Sequence, residues 1–309
     1  HFKTLDLKVL VIGDLMLDTY INGEVERVSP EAPVPILNYK SKKNILGGCG
    51  NVIANLINLG AKVQIGSVIG KDLVGEIVVA KIKEIGISPE LIIRSNLTNT
   101  TEKTRYVSGN SQILRLDKDS ENISLKDLEK IEALIESSYS DFDCLIISDY
   151  NKGVCQTIFV KRIISFFKDK NSPILIDPKG FNWSKYSQAT CLTPNTSELE
   201  ELINNKLKSD CDFEIAGKSI LQKFNLGSCL ITRGANGMSY ISNEETIHQK
   251  IKPVEVYDVS GAGDTVISTF ALSQLSGLSI KESLEISSFT SMQVVKYSGT
   301  TPFSFKMVN

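Results

Sequence analysis

The sequence predicts an α/β fold: a doubly wound, mostly parallel sheet with helices on both faces, plus a small antiparallel β lid. Three observations carry this prediction. Short, almost continuously apolar runs recur along the chain, as strands buried on both faces require. Longer stretches of helical period separate them, which is the alternation that builds parallel sheets. Two segments, 20–40 and 91–117, break the rhythm with alternating patterns and turn residues, as half-exposed antiparallel strands would. The chain, 1–309, reads as a single domain without internal repeats or low-complexity linkers.

Taken in order, "KVLVIGD" (8–14) is the first buried strand and ends on Asp14. "LGGCGNVIANLINLGA" (46–61) runs from glycines into a helix with Val52, Leu56 and Leu59 on one side, and "VQIGSVIG" (63–70) is the next strand. A helix then opens on the capping pattern Ser124 to Asp127 and carries Leu128, Ile131 and Ile135 along one face. "DCLIISD" (143–149), "SPILIDP" (172–178) and "SCLITRG" (228–234) are further strands. Ile267, Phe270, Ala271 and Leu275 mark one face of another helix, Gly277 stops it, and a second capping pattern, Ser279 to Glu282, opens the last one. The two irregular segments would form a small sheet that covers a cleft or pairs with a second subunit. A homodimer is expected, because exposed strand edges are commonly paired or covered.

Composition narrows the function. With 34 Lys and Arg against 36 acidic residues, no overall basic field would attract nucleic acid or an anionic membrane, which leaves a small-molecule partner. The apolar runs fall far short of the roughly 20 residues of a membrane helix, and the N-terminus lacks a signal pattern, so a cytoplasmic protein is expected. Six cysteines without a CxxC pair and two histidines argue against a disulfide framework or a zinc site. His1, standing where Met is expected, marks a trimmed or added terminus and is left out of the fold argument.

Chemistry concentrates at strand ends and glycine loops. In "YDVSGAGDTVIS" (257–268), Gly261, Ala262 and Gly263 precede a helix whose first N–H groups favour an anion such as phosphate. Asp264 would sit at the same place, where a carboxylate repels phosphate but suits a base that deprotonates an attacking hydroxyl. The plainer reading is a glycine-rich helix start with a first-turn acid. The spacing is not that of a Walker A loop. Gly48 and Asn51 offer a polar group behind bare backbone, fit for a sugar hydroxyl or for an ordinary turn. Asp14 ends a strand where ligands meet open α/β sheets and could hold a polyol or cap a turn, and Asp18 shares that rim. Asn195 and Glu198 have the spacing of a capping box, the plainer reading, and Glu198 could instead hold Mg²⁺ through water with Asn195 assisting. Thr232 and Gly234, with Asp149, Lys152, Asp177 and Lys179, lie at further strand ends.

Together, in this order and over essentially the whole chain, these motifs resemble the ribokinase-like carbohydrate kinases of the PfkB family. "GGCGNVIANLINLGA" and above all "DVSGAGDT" carry the resemblance. "RVSPEAPVPIL" (27–37), "SQILRLD" (111–117), "SDYNKG" (148–153), "LIDPKG" (175–180) and "LTPNTSE" (192–198) look like the subgroup that phosphorylates D-glycero-β-D-manno-heptose 7-phosphate at C1, toward ADP-heptose for lipopolysaccharide. The resemblance implies Asp264 as the base, with the backbone of Gly261, Ala262 and Gly263 as the anion hole. It implies Asn195, Thr196, Ser197 and Glu198 for ATP and Mg²⁺, with Glu198 acting through water, and Thr232 and Gly234 on the nucleotide side. Asp14, Gly48 and Asn51 would hold the sugar. Arg105, Gln112 and Arg115 lie in the expected lid, where guanidinium matches phosphate bidentately, and Lys179 is a further phosphate candidate. Asp258 and Ser260 match positions that line a monovalent-cation site in some relatives, which leaves K⁺ open.

The chain departs from the family in two places. Cys49 stands where relatives often have Ala, and 287–303 matches the adenine side less cleanly, with Ser287 or Ser288 where Asn is common. In many relatives a cytidylyltransferase domain follows, and this chain ends where it would begin, without an HxGH motif. Two alternatives stay open: a family kinase for fructose phosphate, ribose or a nucleoside, and a sugar-phosphate sensor without turnover.

Overall fold

The computed structural model describes residues 6–109, 111–120, 122–251 and 254–308, so His1 lies outside the described residues. The strands are β1 (Lys8–Gly13), β2 (Leu15–Val28), β3 (Pro35–Gly48), β4 (Lys62–Gly70), β5 (Ile92–Ser95), β6 (Thr101–Ser108), β7 (Ser111–Lys118), β8 (Cys144–Ser148), β9 (Ile174–Asp177), β10 (Cys191–Leu192), β11 (Ser228–Thr232), β12 (Met238–Ser242) and β13 (Thr246–Gln249). The helices are α1 (Cys49–Asn58), α2 (Leu73–Glu84), α3 (Leu125–Glu136), α4 (Thr157–Asp169), α5 (Thr196–Ile203), α6 (Asp210–Phe224), α7 (Ala262–Leu275) and α8 (Ile280–Val294).

Nine strands form the large sheet in the order β13, β12, β11, β10, β9, β8, β1, β4, β5. Neighbours from β11 to β5 pair in parallel, whereas β12 pairs antiparallel with β11 and β13. The central strand explains its own sequence. Leu10 and Ile12 pack with Leu128 and Ile131 of α3 and Phe159 and Ile163 of α4. Val9 and Val11 point the other way, into a core with Val52 and Ile53 of α1 and Ile267 and Phe270 of α7. Both faces are dry, so the strand shows no polar alternation.

The helix signals act as expected. Ser124 accepts the Asp127 N–H, Ser279 and Glu282 make a full capping box, and Gly277 takes a φ of +78° beyond α7. For α7, the single apolar face read from the sequence is too narrow, because every residue from Asp264 to Ser273 is buried. Two of its hydroxyls meet a neighbouring helix instead of water: Thr265 donates to Asn55 Oδ1 (3.1 Å) and Ser268 to the Val52 carbonyl (3.2 Å). Packing on all sides therefore fixes the first turn of α7.

The small sheet has the order β3, β2, β6, β7, with β2 and β6 parallel and the outer pairs antiparallel. Its boundaries differ from those read from the sequence. Ile92–Ser95 pairs with β4 as an edge of the large sheet, so 91–95 does not belong to the lid. The segment 20–40 is extended at both ends, since β2 starts one residue after Asp14 and β3 runs to Gly48. A four-residue strand is too short to display an alternation, which hides β5 beside the polar stretch that follows. Because β2 leaves β1 directly, the small sheet stands over the carboxyl ends of β1 and β8. The chain runs from β1 outward to β4 on one side and to β8 on the other, the switch point where open α/β sheets place ligands. Among the described residues no helix is long and apolar enough to cross a membrane.

Candidate active site

At this switch point Asp264 occupies the first turn of α7 and is only 3% exposed. Its Oδ2 accepts from Asn51 Nδ2 at 2.7 Å and its Oδ1 from the Tyr150 hydroxyl at 2.8 Å. Burial pushes its pKa up from the ordinary 3.8 to about 6, against the two donors that favour the carboxylate and with help from the charge of Asp18. The Tyr150 phenol is pushed well above its usual range by burial and by Asp264, so it remains a donor. Gly261 caps α7 with a φ of +81°, and a Cβ there would lie 2.5 Å from Asn51 Nδ2. Only glycine fits both the turn and the gap. At Gly263 a Cβ would meet nothing within 4 Å, so this first-turn backbone faces open space. The Ala262 N–H donates to the Val259 carbonyl at 3.2 Å, while those of Gly263 and Asp264 have no intrahelical acceptor.

Gly263 lines a cleft of about 180 Å³ whose wall also includes Tyr150, Asp177, Asn195, Glu198 and Thr232. Lys179 belongs to it as well, with its ammonium 2.7 Å from Glu198 Oε1. Asn195 and Glu198 form the capping box of α5, the plainer of their two readings, and still face the cleft. Asp177 makes no hydrogen bond through its carboxylate among the described residues. Burial first, then the charges of Asp264 and Glu198, push its pKa well up. Thr196 donates to the Thr232 carbonyl at 3.2 Å and ties α5 to β11. Thr196, Ser197 and Gly234 are not among the lining residues, and Gly234 holds a φ of +55° with open space around it.

The two aspartates read as sharing one rim have different partners. Asp14 is buried, and its carboxylate accepts the backbone N–H groups of Tyr150 (2.8 Å), Lys152 (3.0 Å) and Val154 (3.0 Å). It therefore anchors the 150–154 loop, and those N–H groups take the place expected for sugar hydroxyls. Asp18, alternating on β2, stands against Gly47, where a Cβ would lie 2.2 Å from its Oδ2, and accepts from Arg105 Nη1 at 2.5 Å and from the Thr300 hydroxyl at 3.4 Å. Gly48 takes a φ of +60° and packs so closely on the Asp14 carbonyl that a Cβ would come within 2.2 Å. That contact lets α1 start where Asn51 reaches Asp264.

The remaining lid and loop candidates are dispersed. Arg105 is held by Asp18 and lies 5.2 Å from the Tyr20 ring centre. Gln112 and Arg115 are exposed on β7, and Arg115 pairs with Asp117. Asp258 accepts from the N–H groups of Ser260 and Gly299, both at 2.9 Å, tying the loop before α7 to the segment after α8. Sequence reasoning did not single out Tyr150, although it lies inside the quoted "SDYNKG". It also missed Lys185 and Tyr186, which clamp Asp149 at 2.5 and 2.6 Å. No spacing signal marks these residues, because their partners are distant in the chain.

Comparison with known proteins agrees with this geometry. A profile described as pfkB family carbohydrate kinase matches residues 6–306. The chain is 38% identical over 300 residues to the bifunctional protein HldE of Campylobacter fetus subsp. fetus, covering 97% of this chain and 65% of that protein. It is 39% identical over 304 residues to the bifunctional protein HldE of Helicobacter acinonychis, again covering 97% and 65%. The chain thus spans slightly less than two thirds of the length of these relatives. Among solved structures, phosphofructokinase-2 from Escherichia coli in complex with potassium superposes with a TM-score of 0.80 at 18% identity, covering 98% of this chain and 96% of that one. Arabidopsis thaliana ribokinase complexed with ribose and ATP gives 0.75 at 18% identity, with 98% of both chains covered. The chain belongs to the pfkB family of carbohydrate kinases, ATP-using enzymes that phosphorylate sugars.

Proposed function

We propose that this chain transfers the terminal phosphoryl group of ATP to the C1 hydroxyl of D-glycero-β-D-manno-heptose 7-phosphate, giving the 1,7-bisphosphate, with Asp264 as the general base. The observation that carries the reading is the placement of Asp264: a buried carboxylate with a raised pKa, next to Gly263, whose first-turn backbone lines the cleft. Asn51 and Tyr150 hold both carboxylate oxygens in place. Asp264 takes the proton of the sugar hydroxyl as it attacks the phosphorus, while the backbone of Gly261, Ala262 and Gly263 receives the charge on the transferring group. Asp18, Gly48 and Asn51 would border the sugar.

Asp177 and Glu198 suit Mg²⁺, since both are oxygen donors in the cleft, and a cation there would offset the burial and neighbouring charges that disfavour the Asp177 carboxylate. When bound, Mg²⁺ supplies neutralisation of phosphate charge. Asn195 and Thr232 would lie beside the nucleotide phosphates. Asp258 and Ser260 remain the candidate K⁺ position, and a rate independent of added K⁺ would remove that assignment. We place the enzyme in the cytoplasm as a homodimer, and in a full-length protein like its bifunctional relatives a cytidylyltransferase domain would follow.

Phosphorus NMR of the product tests the chemistry. A new signal coupled to the anomeric proton is expected, and a phosphate on any other carbon rejects the assignment. The pH profile tests the base. Asp264 works as the carboxylate, so kcat/KM should rise with pH through an acid limb centred near 6. Tyr150→Phe removes a donor that favours the carboxylate, so its limb should move to higher pH. A limb unmoved in Tyr150→Phe would mean that another group sets it.

A further inference from the structure

Strand register places Lys103 of β6 beside Asp18 of β2 and opposite Asp117 of β7, with Arg105 two residues further on the same face. This face looks toward the reacting centre, because the Lys103 ammonium lies 6.0 Å from the ring centre of Tyr150, whose hydroxyl donates to Asp264. The neighbouring cations already have carboxylate partners. Arg105 pairs with Asp18 (2.5 Å), Arg115 with Asp117 (2.9 Å), Lys152 with Asp119 (2.7 Å) and Lys179 with Glu198 (2.7 Å). Lys103 is half-buried, and its ammonium makes no hydrogen bond or ion pair among the described residues. Burial and the nearby Lys152 hold its pKa below the usual lysine value, although Asp18 and Asp117 oppose them. A half-buried ammonium whose neighbouring carboxylates are each paired with another cation lacks an anion of its own.

Resting on the proposed sugar-kinase reading and deepening it, we propose that Lys103 binds the phosphate monoester the acceptor sugar already carries, and so sets the preference for a phosphorylated over a plain sugar. Arg105, locked to Asp18, shapes the wall of the sugar pocket instead of supplying that charge. A phosphate oxygen is the acceptor that an unpaired ammonium at this position favours, through a charge-assisted hydrogen bond.

The test uses the 309-residue chain with two acceptor pairs, heptose 7-phosphate against the plain heptose and fructose 6-phosphate against fructose. In Lys103→Met the ratio of kcat/KM for the phosphorylated over the plain sugar should fall roughly 30-fold, the usual worth of a hydrogen bond to a charged group, chiefly through KM. Lys103→Arg should restore most of the ratio, and Lys103→Gln provides a second neutral variant should the methionine variant fold poorly. A ratio unchanged within threefold, or an equal loss on both members of a pair, overturns the proposal. A wild type that uses fructose 6-phosphate better than heptose 7-phosphate sinks the proposed acceptor, while the fructose pair still decides the role of Lys103.

Discussion

Asp264→Asn is expected to lower kcat by on the order of 10²-fold or more while changing ATP affinity little, as loss of a general base does. Asn has the same shape, so its amide oxygen can still accept from Asn51 while its NH₂ faces the Tyr150 oxygen. Folding should survive and improve at neutral pH. The sign follows from the raised pKa: the stabilising contribution of this carboxyl is present below the ordinary value of 3.8 and is lost as pH rises through about 6. At pH 8 the wild type carries a buried charge that the variant lacks. An inactive variant with an unchanged or higher melting temperature separates chemistry from folding, and near wild-type turnover would remove Asp264 from the mechanism.

Asp14→Ala is expected to destabilise the protein by about 3–5 kcal/mol and to reduce activity with it, because each unsatisfied buried donor costs about 1–3 kcal/mol. Three backbone N–H groups of the 150–154 loop would lose their acceptor at once. That loop also carries Tyr150, so its loosening reaches Asp264. Asp14→Asn, which keeps one acceptor oxygen, should fall between Ala and wild type. Urea unfolding at pH 8 measures the loss, and a change under about 1 kcal/mol would show that water replaces the carboxylate.

The parallel sheet was legible because its strands are dry on both faces: Val9 to Ile12 has no polar residue to blur it. Caps were legible because Ser124 and Ser279 act within four residues of their partners. Ile92–Ser95 was not, since a short edge strand has no periodicity to read. The site divides in the same way. Gly261 and Asp264 show themselves through a local pattern, glycine followed by a helix start. Tyr150, Asp18 and Lys103 depend on which way a strand or loop turns, and only the register settles that. Asp14 and Asp18 differ by four positions on the same rim, yet one faces backbone N–H groups and the other Arg105.

The most direct measurement is a coupled ADP-release assay of the purified chain with heptose 7-phosphate beside fructose 6-phosphate, ribose and a nucleoside. The account predicts the highest kcat/KM on heptose 7-phosphate, abolished in Asp264→Asn. Better use of a plain, unphosphorylated sugar, or sugar binding without any ADP release, would contradict it.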